Sequence, residues 1–369
     1  MRTRICEMFG IEVPIFAFSH CRDVVVEVSR AGGFGVLGGG VEPEQLEIEL
    51  AWIDAHAGGR PYGIDFLMPG RSAPVEDALK GEPRDLLPPA HRAFLEKVMA
   101  ASGVPPLPGD EAARFQREAL GRLKIRPDQH RELLDVTFRH PVKLVVSALG
   151  KPPPDLVERA HALGIKVGAL VGSPEHARRQ RDAGVDLVIA QGAEAGGHTG
   201  HISTMVLTPQ VVDAVAPLPV LAAGGIGNGR QMAAALALGA EGVWCGSIWL
   251  ATAQSELDPA IKRKIVAASS SDARITKAWS GKNNRVLASR WTEAWTKPDA
   301  PEVLQMPMQG LMTKEVMHRA GRARPEDFLS HPAGQVIGQI RSETSVRQTV
   351  MDMLTEFADA VERLDGLVK

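Results

Sequence analysis

Cysteine is scarce: Cys6, Cys21 and Cys245 are the three in 369 residues. Their spacing matches no metal-ligand pattern, and an odd count cannot close a full disulfide framework, so a reducing compartment and no metal are expected. Charge of one sign is lacking as well. Lys and Arg number 42 against 44 Asp and Glu, for a formal net charge of −2. Basic residues run together only briefly, as in Arg178-Arg179-Gln180-Arg181 and Lys262-Arg263-Lys264, which suits solvated helix faces. Nothing in that balance calls for a nucleic-acid partner. No apolar run is long enough to span a bilayer, and the start MRTRICEMFGIEVPIFAF lacks a signal-peptide core and cleavage site. A cytoplasmic protein with no membrane partner is the expectation. Walker and GxGxxG strings are also missing, which removes the usual nucleotide fingerprints.

What is present is a βαβ rhythm. Short apolar or β-branched runs at 13–18, 35–37, 62–67, 142–147, 166–171, 187–190, 220–223 and 242–245 alternate with helical patterns. Ala31-Gly32-Gly33, Ala162-Leu163-Gly164, Asp182-Ala183-Gly184 and Leu238-Gly239-Ala240 each stop a helix just before a strand. Glycine fits such a stop because it enters the left-handed region without a Cβ penalty. Eight strands with this weak repeat predict an α/β fold, a (β/α)8 TIM barrel over 1–250. A doubly wound open sheet has the same strand count and is the competing arrangement.

The connection after the third strand, 70–140, is too long for a simple crossover. It is proline-rich, with helical patterns at 90–101, 111–123 and 128–137, and reads as a helical insertion. On a barrel it sits at the catalytic face, as a lid, a packing elaboration or an oligomer contact. Residues 251–369 form a C-terminal segment expected to pack on the barrel. Its final helix carries one apolar stripe, Val346, Val350, Leu354, Phe357, Val361 and Leu364, read as core.

The chemistry concentrates in DLVIAQGAEAGGHTGH, residues 186–201. A buried-type strand runs into a loop with Gln191, Glu194, the pair Gly196 and Gly197, and two histidines, His198 and His201. Adjacent glycines let a ligand approach the main chain. A histidine directly after them brings a group that exchanges protons near neutral pH. Two later strands also end in glycine, at Gly224-Gly225-Ile226-Gly227-Asn228-Gly229 and Trp244-Cys245-Gly246-Ser247. Main-chain N–H groups at such loops hold a phosphate, and the loops after strands seven and eight are the recurring phosphate site of these barrels.

These residues resemble the nitronate monooxygenase family, formerly called 2-nitropropane dioxygenases. The likeness rests on 190–200 (AQGAEAGGHTG), Ala222-Ala223-Gly224-Gly225-Ile226 and Gly242-Val243-Trp244-Cys245-Gly246-Ser247. It extends to 31–38, Trp279-Ser280-Gly281 and Gly334-Gln335-Val336-Ile337-Gly338. The resemblance implies non-covalent FMN in a TIM barrel. Gln191 would touch the ring or ribityl region. Gly196, Gly197, Gly224, Gly225, Trp244, Cys245, Gly246 and Ser247 would hold the ribityl phosphate or line the flavin. Ala17, Phe18 and Asp65 would face the flavin from the first and third strands. His198 corresponds to the base that takes the proton α to a nitro group, with O2 as co-substrate, a carbonyl compound and nitrite as products, and a homodimer as one possible assembly.

Two positions depart from the family pattern. Phe16-Ala17-Phe18-Ser19-His20 stands where a methionine-containing string is usual, and Asp65 stands where the third strand normally offers asparagine. A carboxylate accepts from the flavin N3–H but cannot donate. His20 and His201 thereby become rival active-site histidines. The alternative is an NAD(P)H-dependent flavin reductase of enoyl thioesters or quinones. A barrel that isomerises or condenses a phosphorylated metabolite, and a flavin binder without turnover, complete the set.

Overall fold

The computed structural model describes residues 1–40, 42–67, 87–112, 114–115, 118 and 127–369. Eight parallel strands close a barrel: β1 (Ile15–Ser19), β2 (Phe34–Gly39), β3 (Tyr62–Phe66), β4 (Leu144–Ser147), β5 (Lys166–Val171), β6 (Leu187–Gln191), β8 (Val220–Ala223) and β9 (Gly242–Cys245). Closure is direct, because β9 pairs back onto β1 with Trp244 opposite Phe16. This decides between the cylinder and the open sheet. A second, three-stranded sheet joins β7 (Gly197–His198), β10 (Ala273–Thr276) and β11 (Asn284–Leu287) in the order β10-β11-β7. The four expected helix stops hold: Gly32, Gly164, Gly184 and Gly239 all have positive φ.

Alternation along each strand sorts residues between two layers. Phe16, Phe34, Val36, Leu144, Val146, Leu187, Ile189, Leu221, Ala223 and Trp244 fill the barrel interior. Tyr62, Ile64 and Phe66 of β3 point outward into the helix layer. Successive side chains on a strand face opposite sides, so Gly63 and Asp65 face inward.

Helices α1 (Arg4–Phe9), α2 (Arg22–Arg30), α3 (Pro43–His56), α4 (Pro89–Ala100), α5 (Pro127–Thr137), α6 (Pro154–Ala162), α7 (Pro174–Arg181), α8 (Thr204–Val215) and α9 (Gly229–Ala237) accompany the strands. They are followed by α10 (Pro259–Ala267), α11 (Arg290–Ala294), α12 (Met308–Ala323) and α13 (Val346–Val368). Helices expected at 90–101 and 128–137 are α4 and α5. The one expected at 111–123 falls largely outside the described residues, as does 70–86.

The two described helices of the insertion part company. Leu133, Leu134 and Val136 of α5 join Leu46, Leu50 and Ile53 of α3 in the barrel's outer core. Phe94, Leu95 and Met99 of α4 instead share a core with Trp291, Met312, Val316 and Phe328. The buried Arg319 guanidinium on α12 binds the Glu96 carboxylate at 2.7 Å and the Pro105 carbonyl at 3.0 Å. The insertion and the C-terminal segment therefore build a satellite core together.

The final helix departs from expectation in its second half. Ser345 caps α13 by accepting from the Gln348 N–H, and Val346, Val350 and Met353 are buried. Leu354 and Phe357 pack partly, but Val361 and Leu364 are 44% and 48% exposed. At 1.5 Å per residue the 23-residue α13 is about 34 Å long, against about 14 Å for the nine-residue α9 beneath it, so its end overruns the barrel. No helix among the described residues is long and apolar enough to cross a membrane.

Candidate active site

The loop leaving β6 folds back over the C-terminal mouth of the barrel and is tied down at several points. Gly192 N–H donates to the Ala223 carbonyl at 2.9 Å, Ala193 N–H to Ile202 at 2.8 Å, and the Thr199 hydroxyl to Gly192 at 3.0 Å. Arg285, 8% exposed, donates through Nε and Nη2 to the Ala193 carbonyl at 3.1 and 2.9 Å, and through Nη1 to Ala273 at 2.6 Å. The loop ends as β7, whose Gly197 and His198 pair with Arg285 and Asn284 of β11. His198 is thus mounted on a hydrogen-bonded strand, with its ring fixed by tertiary structure.

His198 Nε2 lies 2.9 Å from the Ser280 hydroxyl. Partial burial holds its pKa below the usual imidazole value, and the Lys282 ammonium pushes the same way. Both effects disfavour the charged ring, so the imidazole is neutral near pH 7. Glu194 does not counter this. Its carboxylate accepts from the Thr204 N–H and hydroxyl, each at 2.9 Å, at the start of α8, where the helix dipole favours negative charge.

The glycine loops meet at the same end. Gly224 and Gly225 follow β8 with φ of 91° and 71°, a backbone that L side chains rarely adopt. Gly196 lies so close to a downstream segment that an added Cβ would stand 2.7 Å from Ala333 C and Gly334 N. The Gly334 N–H donates to the Ser247 hydroxyl at 2.7 Å, and the Gln335 N–H to the Glu194 carbonyl at 3.0 Å. The loops after β6, β8 and β9 and the 334–335 turn therefore form one cradle. A Cβ on Gly197 would meet nothing within 4 Å, and one on Gly246 only Phe18 at 3.9 Å, leaving room along the main chain.

Not every expected residue offers a side chain. Phe18 and Trp244 face the barrel interior, with ring centroids 6.2 Å apart. Ala17 and Cys245 turn outward into the core with Val24 and Met232. Burial pushes the Cys245 thiol pKa up to about 12, and its carbonyl accepts from the Trp249 indole at 2.8 Å. These two can meet a ligand only through main chain. Gln191, half-buried, closes β6 opposite Ala223. Asp65 is 5% exposed, with Oδ1 buried and unpaired.

The rival histidines have other surroundings. His20 is exposed, its Nδ1 3.3 Å from the Gly38 carbonyl and its ring edge-on to Phe18 at 5.1 Å. His201 is at the surface, its Nε2 3.2 Å from Asn283 Nδ2. Residues to which the sequence attached no role also enter the site: Ser280, Asn284 and Arg285; His331 interacts instead with His20. Burial, with His20 adding to it, depresses the His331 pKa to about 4. Asn284, opposite His198, has a buried and unpaired Oδ1. The string Trp279-Ser280-Gly281 was a signal for Ser280, but an alternation as short as Asn284-Arg285-Val286-Leu287 gives no hint of a partner strand.

Comparison with known proteins agrees with this geometry. Residues 2–356 match the profile of the family described as nitronate monooxygenase. Rv1533 of Mycobacterium tuberculosis, a candidate monooxygenase by name, is 49% identical over 380 aligned positions, covering 100% of both chains. Nitroalkane oxidase from Streptomyces ansochromogenes superposes with a TM-score of 0.76 at 26% identity, covering 98% of this chain and 99% of the other. FabK from Thermotoga maritima superposes at 0.75 with 28% identity, over 100% and 99% of the two chains. A match running almost from end to end of a closed barrel with this histidine-bearing loop means that the chain belongs to the nitronate monooxygenase family and is an oxidoreductase of the monooxygenase type.

Proposed function

We propose that the protein is an FMN-dependent monooxygenase that oxidises nitroalkanes or their nitronates with O2 to a carbonyl compound and nitrite, with His198 as the base. The single observation carrying this is the neutral, strand-mounted imidazole, 2.9 Å from Ser280 and held below its usual pKa at the barrel mouth. A carbon acid flanked by a nitro group is acidic enough for imidazole, without a metal. His198 takes the α-proton while the C–H electron pair becomes the C=N bond and the charge moves to the nitro oxygens.

The residues present fit FMN. The cradle of Gly196, Gly224, Gly225 and Ser247 suits the ribityl phosphate, Gln191 and Gly197 suit the ribityl and ring region, and the unpaired Asp65 oxygen is an unmet polar group inside the barrel. Main-chain N–H groups of this kind would suit a phosphate, and the loop carrying Gly196 is held in place through Ala193 by Arg285 and through Glu194 by the 334–335 turn. Bound there, FMN would supply the redox chemistry between the nitronate and O2 that no side chain of this site can supply.

The test is spectroscopic and kinetic. The purified protein should be yellow and should bleach anaerobically on adding a nitroalkane or nitronate. His198→Ala should lose activity on the neutral nitroalkane and keep it on preformed nitronate. Full activity of that variant on the neutral compound removes His198 as the base. Faster bleaching by NADH or NADPH than by nitronate replaces this reading with a flavin reductase.

A further inference from the structure

Asp65 is a buried carboxyl group with no lysine or arginine beside it among the described residues. It is the last inward residue of β3, in register with Gly38 on β2 and Val146 on β4. Its register partners are thus a glycine, over which the His20 and Phe18 rings lie, and a valine, with Gly63 two positions back on its own strand. Phe18 closes in from β1, within 3.1 Å of a Cβ built on Gly38. The titratable side chain over Gly38 is His20, just past the end of β1, whose Nδ1 would stand 2.4 Å from that Cβ and is engaged 3.3 Å from the Gly38 carbonyl. No lysine or arginine pairs with Asp65 among the described residues, and Oδ1 has no hydrogen-bond partner.

An unpaired ionised carboxylate in such a place is strongly disfavoured, and proteins avoid it by keeping the proton. Burial alone raises the Asp65 pKa well above the ordinary carboxylate range. The undissociated group changes its recognition chemistry: it carries one O–H donor beside a carbonyl acceptor, the same pair of functions a primary amide presents.

From this geometry we propose that Asp65 acts as an undissociated acid that donates one hydrogen bond and accepts another, reading the imide edge of the bound flavin ring, in which an N–H is flanked by two carbonyls. This rests on the FMN reading above and deepens it. The carboxyl oxygen accepts from the imide N–H, and the acid O–H donates to a flanking ring carbonyl. An ionised Asp65 would satisfy the N–H and face that carbonyl with repulsion. Asp65 thus does the work of an amide, and its proton is part of the binding site.

Two measurements test the proposal. Infrared difference spectra of the protein against Asp65→Asn near pH 7.5 should contain a carboxylic-acid C=O band lost in the variant; an ionised carboxylate signal in its place overturns the proposal. Flavin affinity is then followed by fluorescence quenching for FMN and for FMN methylated at the imide nitrogen. The wild type and Asp65→Asn should bind FMN within about threefold of each other, and both should bind the methylated form at least tenfold more weakly. Asp65→Ala should lose at least tenfold for FMN and respond little to methylation. Equal affinity of the wild type for the two flavins overturns the proposal, as does tight FMN binding by Asp65→Ala. Should no variant bind either flavin while the acid band persists, the cofactor reading fails and takes the flavin contact with it, and the band separates that failure from an ionised Asp65.

Discussion

His198 Nε2 stands 2.9 Å from the Ser280 hydroxyl, a contact across 82 positions of sequence. Ser280 is itself positioned by Lys282, whose N–H and carbonyl both lie 3.4 Å from the hydroxyl. One ring nitrogen is thereby committed to the protein, and the other is left for chemistry. Removing the imidazole in His198→Ala should lower kcat/KM on a neutral nitroalkane by about 10²- to 10⁴-fold, the usual worth of a positioned base. Ser280→Ala should give a smaller loss on the same substrate and little change on preformed nitronate. Comparing the two substrate forms checks both.

The pH profile should carry the sign of the His198 environment. Its folded pKa is depressed below 6.5, first by burial and then by Lys282, so the base is already neutral above that pH. kcat/KM for a neutral nitroalkane should rise with pH through the lowered pKa and be flat above pH 6.5 on this account. Lys282→Met removes a repelling positive charge, raises the imidazole pKa and shifts the acid limb to higher pH. The shift should be partial, because burial is the larger cause, and should shrink in high salt because Lys282 is exposed.

Asp65 gives the apoprotein a stability signature. Its folded pKa is raised, so between the ordinary carboxylate range and the folded value the native state holds more protons than the unfolded state. Its contribution is fully present below the unfolded pKa and is lost as pH rises towards the folded one. Asp65→Asn should flatten this part of the pH dependence of the thermal midpoint, measured without flavin.

Arg285 should matter to the loop more than to the chemistry. Replacing it with methionine leaves the carbonyls of Ala193 and Ala273 without their guanidinium donor, a loss of about 2–3 kcal/mol by the usual worth of charged hydrogen bonds. Chemical denaturation measures that loss, and amide exchange should quicken across 192–198.

The end of α13 should tolerate what its beginning does not. Met353→Ala, at a fully buried position, should cost about 2–5 kcal/mol, while Leu364→Lys should fall within about 0.5 kcal/mol of the wild type. Paired denaturation curves test the contrast.

Local patterning settled the eight barrel strands, the helix stops and the glycine loops, and left the small second sheet unseen. Each depends on properties read within a few residues: apolar runs for Leu187–Gln191 and Val220–Ala223, and positive φ at Gly32, Gly164, Gly184 and Gly239. It also marked out His198, because a histidine after two glycines is locally unusual. Tertiary structure alone decided closure, through Trp244 opposite Phe16, and the inward or outward sense of Asp65 and Cys245. It turned Glu194 onto Thr204, brought Ser280 to His198, and joined α4 to α12. Those outcomes depend on which distant surfaces exclude water together and which charges lose their solvent, and neither is written in local periodicity.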